Sequence, residues 1–73
     1  MSEFIIIEIA NEEAIKVFPE LADSNPSYIW SLAKLVTNDV LYHYSPNSVE
    51  SETEIRKLLF KHLKEFRKFT SLK

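Results

Sequence analysis

Residues 55–69, IRKLLFKHLKEFRKF, decide the fold class of this chain because their apolar side chains recur at helical spacing. The steps between these side chains are of three and four residues, which places them on one face of an α-helix. The members of that face are Ile55, Leu58, Leu59, His62, Leu63, Phe66 and Phe69. Just before them, Ser51 and Glu54 match a capping box, a helix-start pattern. The segment therefore predicts an amphipathic, basic C-terminal helix.

The net charge of the C-terminal segment is opposite in sign to that of the rest of the chain. Residues 55–73 carry seven bases and one acid, whereas residues 1–54 carry ten acids and two bases. The formal net charge of −2 is therefore the sum of +6 on residues 55–73 and −8 on residues 1–54. A basic segment on an acidic body favours contact with something negative: nucleic acid, an anionic protein, or the acidic half of another copy.

A second helix is predicted to begin at Asn25 and Pro26. Asn is a preferred N-cap residue, and Pro suits the first helical position. The predicted apolar face consists of Tyr28, Ile29, Leu32, Leu35, Val36, Val40 and Tyr44. The pair Asn38-Asp39 favours an early end of this helix, with residues 40–44 extended and residues 45–48 forming a loop.

The N-terminal segment is open to two interpretations. Four isoleucines within Phe4–Ile9 favour a β-strand, with Asn11 as the N-cap of a short helix that Pro19 ends near Phe18. The alternative is one continuous helix, since apolar residues from 6 to 21 also fit a helical stripe. We expect the strand. It would pair with residues 40–44 or with the Phe4–Ile9 strand of a second copy, which would give a homodimer.

Length and composition narrow the fold further. Seventy-three residues make a single small domain, 1–73. The sequence has no cysteine and no glycine, so disulfide frameworks, thiolate metal sites and phosphate-binding glycine loops are excluded. The longest apolar run, residues 4–7, is too short to span a membrane, and we expect a cytoplasmic protein. The predicted fold is mainly α: a three-helix domain with a short N-terminal strand, and α+β as the alternative.

Few residues suggest catalysis. His62 and Glu65 are three apart and could share a helix face, but no third metal ligand follows at helical spacing. His43, between two tyrosines, has no more support, and the carboxylates gather at predicted helix starts, where they complement the helix dipole. We therefore expect no enzyme activity, no metal and no cofactor.

The predicted function is that of a non-enzymatic interaction module, a regulator, adaptor or inhibitor that docks on a larger protein. The alternative is sequence-independent nucleic-acid binding by the basic helix 55–69, which we consider less favoured because the rest of the chain is acidic. Trp, Tyr and Arg side chains concentrate in binding hot spots. The candidates for partner binding are Trp30, Tyr42, Tyr44, Arg56, Lys57, Lys61, Lys64 and Lys68.

Overall fold

The computed structural model describes residues 3–44 and 52–70, and every one of these except Phe18 and Asn25 is helical. The helices are α1 (Glu3–Val17), α2 (Pro19–Ser24), α3 (Pro26–Tyr44) and α4 (Glu52–Thr70). The mainly α prediction is confirmed, with one short helix, α2, more than the three expected. Within these residues, no helix combines the length and the apolar character that crossing a membrane requires.

The predicted N-terminal strand is wrong, because residues 4–9 belong to α1. Ile6, Ile9 and Ala14 are buried at helical steps, so the tertiary packing of one helical face overrides the β-preference of the isoleucines. Asn11 lies inside this helix rather than at its start. Residues 4–9 therefore offer no strand edge, and the route to a homodimer by strand pairing disappears.

Pro19 separates the first two helices, as the sequence predicts. Phe18 leaves the helical conformation at φ −124° and ψ 62°, and Pro19 then begins α2. Asn25 lies between α2 and α3. Its side-chain Oδ1 accepts a hydrogen bond from the backbone N–H of Tyr28 at 3.2 Å. This confirms Asn25 as the N-cap of α3, with Pro26 in the first helical position.

The expected early end of α3 is also wrong. The helix continues through Asn38 and Asp39 to Tyr44, so residues 40–44 are helical rather than extended. Val40 is buried, and its packing against the core offsets the weak helix preference of the Asn-Asp pair. The predicted loop at residues 45–48 and the Ser51 half of the capping box lie outside the described residues.

The three long helices share one core, and α1 contacts both of the others. Glu13 of α1 meets Arg56 of α4, and Val17 meets Arg67, so these two helices run in the same direction. Asp39 of α3 contacts His62 of α4, and Val36 lies beside Phe66, so α3 runs in the opposite direction. The core residues are Ile6, Ile9, Ala10, Ala14, Phe18, Ile29, Leu32, Ala33, Val36, Val40, Ile55, Leu59 and Leu63. Burial of the last three confirms the centre of the apolar face predicted for α4, but the prediction is wrong for Phe69, which is 77% exposed.

Candidate binding surface

The first arginine of α4 is bound inside the molecule. Arg56 donates from Nη1 to Oε2 of Glu13 at 2.8 Å, from Nη2 to Oε1 of Glu12 at 2.8 Å, and from Nε to Oε2 of Glu52 at 3.0 Å. These three carboxylates raise the pKa of Arg56 above its already high ordinary value. Arg56 therefore acts as a clamp between α1 and α4, and its guanidinium is not available as a ligand-binding group.

The second arginine has a comparable role at the other end of α4. Nη1 of Arg67 donates to the Val17 carbonyl oxygen at 3.0 Å and to Oε2 of Glu20 at 2.6 Å. Its guanidinium carbon also lies 4.9 Å from the centre of the Phe18 ring, a cation–π distance. The hydrogen bond from Arg67 lowers the pKa of Glu20. Arg67 thus satisfies a carbonyl at the end of α1 and ties α2 to α4.

The lysines of α4 behave differently from its arginines. Lys57, Lys61, Lys64 and Lys68 are all exposed, on the side of α4 opposite the buried Ile55–Leu59–Leu63 stripe. Their spacing of four, three and four residues forms a row about 16 Å long at the rise of an α-helix. Among the residues that the structure describes, no carboxylate lies within ion-pair distance of any of these four.

Phe60 provides an apolar group beside this row. Its side chain is 37% exposed, and Nζ of Lys64 lies 5.4 Å from the centre of its ring. The depression around it is open rather than enclosed, because all of its lining residues belong to α4. We refer to Phe60 with the four lysines, residues 57, 61, 64 and 68, as the lysine face.

The aromatic residues predicted to bind a partner do not form a single site with the lysine face. Trp30 is half-buried in α3, whereas Tyr42 is exposed on the same helix. Twelve residues separate them, so their directions differ by about 120° around the helix axis. The backbone of Tyr44 ends α3, but its side chain lies outside the described part of the chain. The prediction that Tyr28 and Leu35 face the core is wrong, since both are exposed.

The histidines offer no metal site in the described part of the chain. Nδ1 of His62 lies 3.4 Å from Oδ2 of Asp39, and this contact joins α4 to α3. Among the described residues, no group of three or more metal-binding side chains comes together. The side chain of His43 lies outside these residues. The described surface does expose lysine ammonium groups and an aromatic ring, Phe60, and these groups can contact a ligand.

Comparison with family models, curated proteins and solved structures gave no match for this chain. A function must therefore be argued from the chemistry of its surface.

Proposed function

We propose that this protein is a small non-enzymatic binding protein that docks on an acidic surface of a larger protein through the lysine face. The observation that carries the proposal is the division of cations in α4. Arg56 and Arg67 are held by carboxylates of the same chain, while the four lysines have no such partner among the described residues.

The lysine face has the arrangement expected of a contact surface. Binding energy usually concentrates in a few apolar or aromatic anchors that surrounding polar groups shield from water. Phe60 is the exposed apolar side chain of this face, and lysines lie one turn away on either side, at 57 and 64. The lysines would attract an acidic partner and fix its orientation, and contact with the ring would slow its release.

The remaining charges would help to orient the encounter. Helices α1 and α2 carry an acidic excess, and their only base is Lys16. Their acidic residues are Glu3, Glu8, Glu12, Glu13, Glu20 and Asp23. Glu12, Glu13 and Glu20 pair with the arginines of α4, so the excess charge is carried by Glu3, Glu8 and Asp23. An acidic partner would be repelled from this side of the molecule and attracted to α4, which favours one docking orientation over others.

Sequence-independent nucleic-acid binding is the second candidate, and the row of exposed lysines is the observation that favours it. Lysines at this spacing can neutralise phosphates. Base recognition typically uses Arg, Asn or Gln side chains. Helix α4 has no Asn or Gln, and both of its arginines are bound internally. Any nucleic-acid binding by this face would therefore depend on phosphate charge alone.

Fluorescence binding to three labelled ligands would test the proposal. The first is an acidic amphipathic peptide with Leu and Phe at helical spacing, the second an equally acidic peptide without apolar residues, and the third a random DNA duplex. We expect wild-type protein at 150 mM salt, a physiological ionic strength, to prefer the first peptide. Part of that binding should survive in half-molar salt, because contact with Phe60 is not screened.

Three variants test which side chains contact the labelled ligands. Replacing Lys57, Lys61, Lys64 and Lys68 together with Gln should abolish binding of the purely acidic peptide and leave only the salt-resistant part of the binding of the amphipathic one. The helix should be kept, because Gln has a similar helix propensity. Phe60→Ser should weaken binding of the amphipathic peptide only. Lys34→Gln, at an exposed lysine of α3, is the matched control and should change nothing. Submicromolar binding of the duplex at the same salt, abolished in the fourfold variant, would instead establish nucleic-acid binding.

A further inference from the structure

The outer face of helix α1 combines acidic and apolar side chains. Phe4, Glu8, Glu12 and Ile15 lie within about 80° of one another around the helix axis, at about 100° per residue. All four are exposed, Phe4 to 61% and Ile15 to 41%. We call these four residues the acidic face.

The two carboxylates of the acidic face differ in what holds them. Oε1 of Glu12 accepts a hydrogen bond from Arg56 at 2.8 Å, although the Glu12 side chain stays 60% exposed. Within the described residues, no cation lies within ion-pair distance of Glu8. Lys16 borders the face, but its ammonium group contacts Glu13 at 3.2 Å. The acidic face therefore has one uncompensated carboxylate, that of Glu8, and a second that is shared with α4.

The acidic face and the lysine face match in length and chemistry. Each extends over eleven residue steps of a helix, from 4 to 15 and from 57 to 68, and is about 16 Å long. Each places exposed apolar atoms beside charges, and the charges of the two faces are opposite in sign. Glu65 borders the lysine face on the side away from Phe60 and leaves the row of lysines itself uninterrupted. Both faces point outward, so they cannot meet within one molecule.

We propose that the acidic face of one copy of this chain binds the lysine face of a second copy. Charge complementarity supports this occupant. Residues 1–54 carry a net charge of −8 and residues 55–73 one of +6, so unlike ends of two copies attract each other at long range in low salt. Phe4 and Ile15 add apolar surface that contact with Phe60 and the lysine stems would cover. This association uses the lysine face and therefore rests on the proposed function.

Self-association of this kind regulates docking. A copy whose lysine face is covered by a second copy cannot hold another acidic partner there, so the two compete. A standard interface buries about 800 Å² per partner, and one helix face against another is smaller than that. The association is therefore weak and depends on concentration, and the lysine face is free in dilute protein and covered in concentrated protein.

Sedimentation equilibrium tests the association directly. In ~20 mM salt, where exposed charges are weakly screened, the apparent mass of the wild-type protein should rise above the 8.6 kDa of one chain. The rise should occur between ~10 µM and ~1 mM protein, since mass action populates a weak complex only at high concentration. In ~0.5 M salt the apparent mass should fall back toward that of one chain. A wild-type protein that stays monomeric at the highest concentration in low salt would refute the proposal.

Two single charge reversals separate the acidic face from net charge. Glu8→Lys should weaken self-association about fivefold or more, because it places like charges opposite each other. Asp23→Lys is the matched control, since it changes the net charge by the same amount at an exposed residue of α2 outside the acidic face. It should leave most of the association in place. Equal losses in the two variants would overturn the use of the acidic face.

A charge exchange identifies the face that receives it. Replacing Lys61 and Lys64 together with Glu should also weaken self-association, with an unchanged helical circular dichroism spectrum because both residues are exposed. An equimolar mixture of this variant with Glu8→Lys should associate more strongly than either protein alone, since the exchanged charges attract again. A mixture that associates no better than its components would overturn the pairing of these two faces.

The acidic amphipathic peptide described above distinguishes this inference from the proposed function. An excess of the peptide should return the apparent mass of the wild-type protein to that of one chain, because both ligands need the lysine face. Peptide binding by a protein that never self-associates would overturn this inference and leave the proposed function in place. Loss of both peptide binding and self-association would overturn both.

Discussion

Nη1 of Arg56 lies 2.8 Å from Oε2 of Glu13, and this ion pair joins the first helix to the last across 43 residues of chain. The Glu13 side chain is only 5% exposed, so its carboxylate depends on protein groups rather than on water. Nζ of Lys16 adds a second cation at 3.2 Å. The pair lets a charged residue occupy the buried face of α1 and fixes how α1 lies against α4.

Arg56→Ala should therefore destabilise the fold. The substitution leaves Glu13 with Lys16 alone, and a buried carboxylate that loses a partner is costly. We expect the melting temperature, followed by circular dichroism, to fall by roughly 5–10 °C in a domain of this size. Lys61→Ala is the control, because it removes an exposed α4 cation that has no ion-pair partner among the described residues. It should change the melting temperature by less than about 2 °C. Equal shifts in the two variants would show that the clamp contributes nothing to stability.

Leu59→Ala tests the centre of the core. Leu59 is fully buried, and truncating such a leucine costs about 2–5 kcal/mol of unfolding free energy because it leaves a cavity. Small domains rarely have more than about 3–5 kcal/mol in total, so much of the variant should be unfolded at 37 °C. Urea denaturation measures the loss. Phe69→Ala, at an α4 position that is 77% exposed, is the control and should leave the free energy of unfolding nearly unchanged. A Leu59→Ala protein as stable as the wild type would contradict the helix packing described above.

Thr37→Val should stabilise the protein. The Thr37 hydroxyl is completely buried and has no hydrogen-bond partner within the described residues, so it has lost water without a replacement. Valine has nearly the same shape and no such group, and we expect a gain of about 1 kcal/mol in unfolding free energy. Thr53→Val, at an exposed position of α4, controls for the change of residue type. A destabilised Thr37→Val protein would mean that the hydroxyl does have a partner.

The contact between Glu20 and Arg67 predicts a pH effect. Because Arg67 lowers the pKa of Glu20, the pair stabilises the fold above the carboxyl's ordinary pKa of 4.5. That contribution is lost as the pH falls through the lowered value. Carbon-detected NMR titration should give Glu20 a midpoint below 4.5, and Arg67→Gln should return it toward 4.5. Lys64→Gln, which removes an α4 charge without contact to Glu20, should leave the midpoint lowered.

The sequence predicts the parts of this fold in which local preference and packing agree. In α4, helical spacing and burial coincide, so Ile55, Leu59 and Leu63 could be placed in the core. Asn25 and Pro26 mark the start of α3 because capping depends on adjacent residues. The isoleucines of α1 favour a strand locally, and only contact with two other helices makes them helical.

The charged surface could be predicted only in part, for a related reason. Residue order places the bases of α4 away from its apolar face, but it does not show that Glu13 and Glu20 reach Arg56 and Arg67. Those contacts span more than forty residues of chain. They depend on the relative positions of the helices, and no spacing rule within one helix reveals them.

The separate roles of arginine and lysine in α4 have a consequence for chemical modification. Acetylation acts on lysine amines and removes their charge, whereas guanidinium groups are not its target. The outward cations of α4 are all lysines, and its clamping cations are both arginines. Acetylation of this helix would therefore remove the positive charge of its outer surface and leave the contacts that hold the helices together in place.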